Sequence, residues 1–254
     1  MKLIFPTDEH HPFQDNRALS VAHQIAQDFN PDLRIAGSDG IDFYSISKFD
    51  KNPERLSEFR LQEEINSWIR GQKDWRSATP RAKAFFLKGN HEDRWRKLLW
   101  SHPNIAGLDV LQLPHLLRLK ELGIYWEKDK GLNGNTEFNI YGRLLLKHGE
   151  IVRKFSGYSA KAELEKEMHS ISVITGHTHR GGTYYVTTRS GVVTAQEGFC
   201  LCSLEPEYVQ HPNWQQGMVV AEVEPDYVNI EPIPFRRLKG KVTARWRGKE
   251  YVEA

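Results

Sequence analysis

Cysteine is scarce in this chain: two among 254 residues, Cys200 and Cys202. Two positions apart, they would face the same way on a strand, a poor geometry for a disulfide. No second pair exists to complete a four-cysteine zinc site, so a buried strand is the expectation for this segment. So few cysteines point to a reducing, cytoplasmic setting. Long hydrophobic runs are also missing. Nothing approaches the length of a membrane span, and Lys2-Leu3-Ile4-Phe5 is too short for the apolar region of a secretion signal. No membrane partner is therefore expected. Net charge is only +2, so the molecule as a whole is no electrostatic magnet for nucleic acid. Internal repeats and low-complexity segments are absent as well.

What is present is ordinary for a soluble globular protein: 39% hydrophobic and 27% charged residues. The length suffices for one large domain or two small ones. Leu3 to Pro6 reads as a strand, and Leu19, Ala22, Ile25, Ala26 and Phe29 mark a helix stopped by Asn30-Pro31. Leu33 to Ala36 is the next strand. Asn52-Pro53 starts a long helix with Leu56, Phe59, Ile65, Trp68 and Ile69 on its buried side. Residues 84–87 form a strand leading into Gly89-Asn90-His91-Glu92 and a further helix. Leu108 to Leu122 reads as helical, with Pro114 beginning or kinking a turn, and Gly131 to Asn135 as a loop. Phe138 to Lys147 is a strand, Ser159 to His169 a short helix, and Ile171 to Thr175 a buried strand. Thr183–Thr188 and Val192–Gln196 form a hairpin about Arg189-Ser190-Gly191, and Met218–Val223 and Val228–Ile233 are strands. Strands alternate with helices early and dominate late, which suggests two packed sheets with helices outside.

The polar residues just after these strands are Asp8 and His10, Asp39 and Asp42, Asn90 and His91, His148, then His177 and His179. Taken singly each is an ordinary cap, turn or packing residue. Together, oxygen and nitrogen donors at one strand end after another are poorly explained that way. In this order, Asp8-x-His10, Asp39-x-x-Asp42, Gly89-Asn90-His91-Glu92, His148 and Gly176-His177-x-His179 resemble the motifs of the calcineurin-like metallophosphoesterases. Tyr158-Ser159-Ala160-Lys161-Ala162-Glu163 and Asn213-Trp214-Gln215-Gln216-Gly217 further resemble phage and prophage members, for which the setting would be the host cytoplasm.

The resemblance implies a four-layer α/β/β/α sandwich of two mixed sheets flanked by helices. It implies two divalent metal ions, with Asp8, His10 and His179 holding one, Asn90, His148 and His177 the other, and Asp39 bridging. Mixed oxygen and imidazole donors suit Mn foremost, and Fe or Zn. Two dications against Asp8, Asp39 and a bridging hydroxide leave a small positive excess, which attracts a phosphate ester and makes hydroxide available as nucleophile. By the same resemblance, His91 is not a ligand but assists the leaving group, and Asp42 orients its ring. Arg94 and Arg180 follow motifs closely and are candidates to steady a phosphate, with exposed salt bridges as the plain alternative.

The chain departs from the family pattern in places. Ser38 rather than glycine precedes Asp39. Phe43 stands where protein phosphatases carry an arginine, and Asp42 where purple acid phosphatases place a ligand tyrosine, which disfavours both branches. Phe43 and Tyr44 are expected in the core. His11, His23, His102, His115, His169 and His211 match no motif and read as surface or packing residues. Residues 1–235 are expected to form the metallophosphoesterase domain and residues 236–254 a basic C-terminal strand or tail. Its Arg236, Arg237, Lys239, Lys241, Arg245, Arg247 and Lys249 would suit a phosphate backbone, but the alternation through Val242, Ala244 and Trp246 fits an edge strand with a solvated face. The expected reaction is hydrolysis of phosphomonoesters or phosphodiesters. The alternatives are a Mn-dependent DNA or RNA nuclease of DNA-repair type and, as a minor one, a non-catalytic interaction scaffold on the same fold. Oligomeric state is not encoded in the sequence.

Overall fold

The computed structural model describes residues 1–49, 52–58, 60–126, 137–206 and 211–253. One sheet contains β1 (Lys2–Phe5), β2 (Leu33–Gly37), β3 (Lys83–Leu87) and β4 (Ile124–Tyr125), all parallel. β10 (Gly217–Glu224) and β11 (Tyr227–Pro234) extend it antiparallel beyond β1, giving the order β11-β10-β1-β2-β3-β4. The second sheet runs β5-β6-β7-β9-β8, from β5 (Glu137–Ile140), β6 (Leu144–Lys147), β7 (Ser172–Thr175), β8 (Gly181–Thr188) and β9 (Gly191–Gly198). Here β6, β7 and β9 are mutually parallel and the outer pairs antiparallel, so both sheets are mixed.

Side-chain alternation decides how the sheets stack. Leu3, Phe5, Leu33, Ile35, Leu87, Val219 and Ala221 of the first sheet meet Ile140, Leu144, Leu146 and Ile174 of the second. The opposite face of the first sheet takes helices. Ile4, Met218 and Val220 pack on α1 (Asn16–Phe29). Ala36, Ala84 and Phe86 pack under α3 (Leu61–Ala78) and α4 (Glu92–Trp100). On the far side of the second sheet, Leu145, Val173 and Ala195 cover Ala160 and Leu164 of α7 (Tyr158–Lys166). The result is the expected four-layer α/β/β/α sandwich. Asp15 starts α1 by accepting from the Arg17 and Ala18 amides, and Asn30 ends it in a left-handed conformation at φ 52°.

Several elements differ from the sequence reading. The long helix after Asn52 is two pieces, α2 (Pro53–Glu58) and α3, and Phe59 lies outside the described residues, as does the Gly131–Asn135 loop. Residues 108–122 hold no continuous helix, only a 3-10 turn at Asp109–Leu111 and α6 (Leu113–Leu116), following the single turn α5 (Pro103–Ala106). Gln112 is extended, with Pro114 in the first turn of α6, because proline is accepted at a helix start and not in its interior. Residues 138–147 fold back on themselves at Tyr141-Gly142, both with positive φ.

The tail likewise becomes three strands rather than one: β12 (Arg236–Leu238), β13 (Lys241–Trp246) and β14 (Lys249–Glu253). Val242, Ala244 and Tyr251 are buried in the cluster that α1 builds. Arg245 pairs with Glu250 at 3.2 Å, Arg247 with Glu222 and Glu231, Lys249 with Asp28, and Arg237 with Asp15. Each of these cations faces a carboxylate of the same chain.

Candidate metal centre

The loops leaving the carboxyl ends of β1, β2, β3, β6 and β7 meet, and backbone bonds lace them together. The Asp8 and His10 amides donate to Ser38 and Asp39 carbonyls at 2.9 and 3.0 Å, and the Ser38 amide to Leu87 at 2.6 Å. Strand ends of this kind are where open α/β sheets build sites. Gly89 lets the third loop come this close, since a Cβ there would overlap Asp39 Oδ1.

Asp8, His10 and His179 form one group. His179 Nε2 lies 3.2 Å from Asp8 Oδ1 and 2.9 Å from His10 Nε2. Asp39, Asn90, His148 and His177 form another. His148 Nε2 lies 3.1 Å from Asp39 Oδ2 and 2.9 Å from Asn90 Oδ1, and the His177 ring stands edge-on to His148 with centroids 5.1 Å apart. The two groups adjoin, because ligand atoms of His10, Asp39 and His91 fall within 4.8 Å of one another. Every residue expected to hold metal is thus brought to one place.

Two features fit this donor set to divalent cations. The first is orientation. His10 Nδ1 donates to Asp42 Oδ2 at 2.9 Å, and Ser38 Oγ lies 2.9 Å from His148 Nδ1, leaving each ring's Nε2 turned inward. Metal-binding imidazoles are held in this way. Two imidazole nitrogens facing each other at 2.9 Å need a proton or a cation between them. The second is strain. Asp8, His10, Asp39, His177 and His179 all adopt positive φ, between 52° and 74°. Non-glycine residues avoid this region unless the surroundings enforce it, and such positions cluster at functional sites.

The side chains of the site make a buried set of opposed charges. Burial alone would raise the Asp8 carboxyl, but His179 and His10 hold it well below its usual range. Asp39 is likewise pulled down by His148 and His91 against burial. Burial lowers His148, yet Asp39 lifts it to about 9. His177 goes the other way, lowered by burial and by His148. These opposite shifts are those of carboxylates and imidazoles sharing a proton-rich cage.

His91 sits beside the groups. Its amide donates to Asp39 Oδ1 at 2.8 Å, and its Nδ1 lies 3.0 Å from the Asp42 carbonyl and 3.3 Å from the Asp42 carboxylate. Arg94 Nη2 is 3.0 Å from His91 Nε2. A guanidinium only donates, so Nε2 is the acceptor and the ring proton lies on Nδ1. Distance alone would admit His91 as a ligand; Arg94 occupies the nitrogen it would use. Asp42 does more than orient His91, since its carboxylate makes its shorter contact to His10. Arg94 also reaches the Asp42 carboxylate at 3.0 Å.

Arg180 is placed differently. It is buried and donates to the carbonyls of Lys154 at 3.1 Å and Arg153 at 2.7 Å and to Ser159 Oγ at 3.1 Å. Phe43 lies in the core, stacked on Trp95. His11 is tied to Glu9 and Ser67.

Glu92 is a supporting residue to which the sequence reading gave no role. Fully buried, it accepts from the amides of Gly89 at 2.7 Å, Asp39 at 3.1 Å and Gly40 at 2.8 Å, joining the second and third loops. Its place three residues after Gly89 was the available signal, as a carboxylate reaching back to free amides at a helix start. Beside Asn90 and His148 a cavity of ≈ 510 Å³ opens, a size suited to a small ligand, and its wall mixes Lys88, Arg96 and Lys147 with Asp93, Glu137, Glu150 and Glu163.

No protein-family model matches the chain, and no curated protein does. Among solved structures it is similar to Vps29 complexed with zinc from Entamoeba histolytica, at 13% identity and TM-score 0.45, covering 100% of this chain and 97% of that one. It is also similar to Vps29 from Chaetomium thermophilum, at 10% identity and TM-score 0.41, covering 100% and 96%. Neither likeness is close enough to assign a role to any residue.

Proposed function

We propose that this chain is a calcineurin-like metallophosphoesterase that hydrolyses phosphomonoesters or phosphodiesters at a dinuclear centre. The observation that carries the reading is the convergence of Asp8, His10, Asp39, Asn90, His148, His177 and His179, with nitrogens and oxygens 2.9–3.2 Å apart in the contacts among all but His177, whose ring nitrogen lies within 4.8 Å of the Asp39 and His148 donors. Asp8, His10 and His179 would hold one divalent ion, Asn90, His148 and His177 the other, and Asp39 both. Bound there, two such ions would supply Lewis-acid stabilisation of phosphoryl oxygens and acidify the attacking water.

The remaining work falls to the chain's own groups. Lys88, Arg96 and Lys147 on the cavity wall are matched by Asp93, Glu137, Glu150 and Glu163, so the attraction of an anionic substrate would fall to the bound ions. His91 Nε2 is where a proton for the leaving oxygen would be held, once that oxygen replaces Arg94 Nη2 as its neighbour. Asp42, fixed by His10 and Arg94, keeps the His91 Nδ1 proton in place. Glu92 holds the loops of Asp39 and Asn90 in register.

Manganese is the favoured metal, with iron or zinc as alternatives. The phage or prophage lineage rests on the Tyr158–Glu163 and Asn213–Gly217 segments, and cytoplasmic placement on cysteine scarcity. Among the described residues no helix is long and apolar enough to cross a membrane. A nuclease reading belongs to the same chemistry, but four of the seven tail cations, Arg237, Arg245, Arg247 and Lys249, already face carboxylates of this chain, which weakens the support the tail lends it. Reconstitution with Mn²⁺, Fe²⁺ or Zn²⁺ and a screen over nitrophenyl mono- and diesters, nucleotides and nucleic acids tests the proposal. Metal-dependent turnover of at least one class is expected. Tight metal binding without turnover of any would favour the scaffold, and no metal binding would defeat the reading.

A further inference from the structure

The strand-like segment after β9 places Cys200 and Cys202 on one side and Leu201 on the other. Leu201 enters the apolar cluster of α1, whereas neither cysteine belongs to any of the hydrophobic clusters, although both are buried. The segment is tied to the metal centre: the Leu201 amide donates to the Asp8 carbonyl at 3.1 Å, and the Cys200 amide donates at 3.1 Å to the carbonyl of Gln215, whose own amide donates to the His179 carbonyl at 2.8 Å. The sulfurs therefore sit directly behind His179. Cys202 Sγ is 3.9 Å from His179 Nδ1, the ring nitrogen that faces away from Asp8, and Nδ1 and both sulfurs lie within 4.8 Å of one another. Trp214 packs edge-on to the same ring, with centroids 4.2 Å apart.

We propose that Cys200 Sγ, Cys202 Sγ and His179 Nδ1 form a separate site for a thiophilic cation such as Zn²⁺ or Cd²⁺, back to back with the dinuclear centre. Soft sulfur donors select such ions over Mn²⁺. Tetrahedral zinc with Zn–S about 2.3 Å and Zn–N about 2.0 Å holds its donors roughly 3.5–3.8 Å apart, so the Cys202–His179 pair, at 3.9 Å, need close by only a few tenths of an ångström and the pairs with Cys200, within 4.8 Å, by at most about 1 Å. On binding, each thiol releases its proton to solvent; when the dinuclear centre is also filled, the His179 ring releases its remaining N–H proton as well and bridges the two sites as imidazolate. A fourth position is left for water. His179 thus offers Nε2 to one centre and Nδ1 to the other. The site stands on the sulfur geometry and does not depend on the dinuclear reading.

The test is a Cd²⁺ titration of Mn²⁺-treated protein, followed by the ultraviolet thiolate-to-Cd²⁺ band. Wild type is expected to show a band that saturates at equimolar Cd²⁺. Cys200→Ser, Cys202→Ser and His179→Gln should each lose at least tenfold in Cd²⁺ affinity, and the double cysteine variant should show no band while keeping the wild-type melting temperature. A wild type without a saturable band, or single variants that bind Cd²⁺ as tightly as wild type, would overturn the site. Manganese loading is read separately by electron paramagnetic resonance. If Mn²⁺ fails to load while the Cd²⁺ band appears, the dinuclear reading falls and the sulfur site stands.

Discussion

Asp42 Oδ2 accepts a 2.9 Å hydrogen bond from His10 Nδ1. The same carboxylate is 3.3 Å from His91 Nδ1 and 3.0 Å from Arg94 Nη1, so one side chain steadies both a candidate ligand and the candidate acid. Asp42→Ala is expected to weaken divalent-metal binding by roughly 10–100-fold, the usual effect of losing an outer hydrogen bond to a ligating histidine. Turnover should fall further than metal loss accounts for. Calorimetric metal titration beside nitrophenyl phosphate turnover measures both, and unchanged metal affinity would remove Asp42 from the support of His10.

His91 and Arg94 separate by leaving group. His91→Ala should keep both metals and lose about 10²–10⁴-fold in kcat on alkyl phosphates, with a smaller loss on nitrophenyl esters, which need little protonation. Arg94→Ala, which frees His91 Nε2, should alter the pH profile of kcat without this leaving-group dependence. Equal losses on both ester types in His91→Ala would argue against a proton-delivering role.

Arg180 and its partners make a different claim. Its guanidinium bonds the Arg153 and Lys154 carbonyls, which pins the loop between His148 and α7. Arg180→Ala is expected to cost on the order of 1–3 kcal/mol in urea unfolding, because the Arg153 and Lys154 carbonyls lose charged donors and the buried Glu197, 3.8 Å away, loses a cation. The KM for a small phosphate ester should stay within about twofold of wild type, as it loses no ligand. A large rise in KM with unchanged stability would instead place Arg180 on the substrate.

Acidity and metal binding are linked through His148. In the metal-free protein Asp39 raises this imidazole from 6.5 to about 9 against the lowering effect of burial. A raised imidazole contributes its full stabilisation below pH 6.5 and loses it as pH climbs through about 9. Metal-free protein should therefore become less stable over that interval. Divalent-metal affinity should move oppositely, tightening by up to about tenfold per pH unit while the ring must shed a proton. Melting curves with and without Mn²⁺ at stepped pH test both directions.

Deleting residues 236–254 should lower the melting temperature sharply, because it strips Val242, Ala244 and Tyr251 from the α1 cluster, each worth roughly 1–3 kcal/mol. Reversing Arg245 alone, exposed and paired with Glu250, should change stability by less than about 1 kcal/mol. A truncated chain that melts like the intact one would show that the three strands add nothing to the core.

Much of the layering and the convergence of the candidate site was legible because both are written in periodicity and in strand ends. Leu33 to Ala36 and Ile171 to Thr175 are short, apolar runs bounded by turn residues, and the donors fall immediately after such runs. The misread strands share a cause. Tyr141-Gly142, Lys239-Gly240 and Arg247-Gly248 each pair a positive-φ residue with glycine and turn the chain back. Lacking the usual asparagine or aspartate at the first turn position, they were read through as continuous strand. Arg180 and Cys202 were opaque for another reason. What they touch lies far along the sequence, and short-range pattern holds no record of it.

β1 delivers Asp8, yet one of its two sheet neighbours is β10, which begins only at Gly217. During synthesis β1 must wait with an unpaired border until the chain has been made through Glu224. A nascent chain released early would carry every one of the proposed ligands and still lack the frame that turns them toward one another.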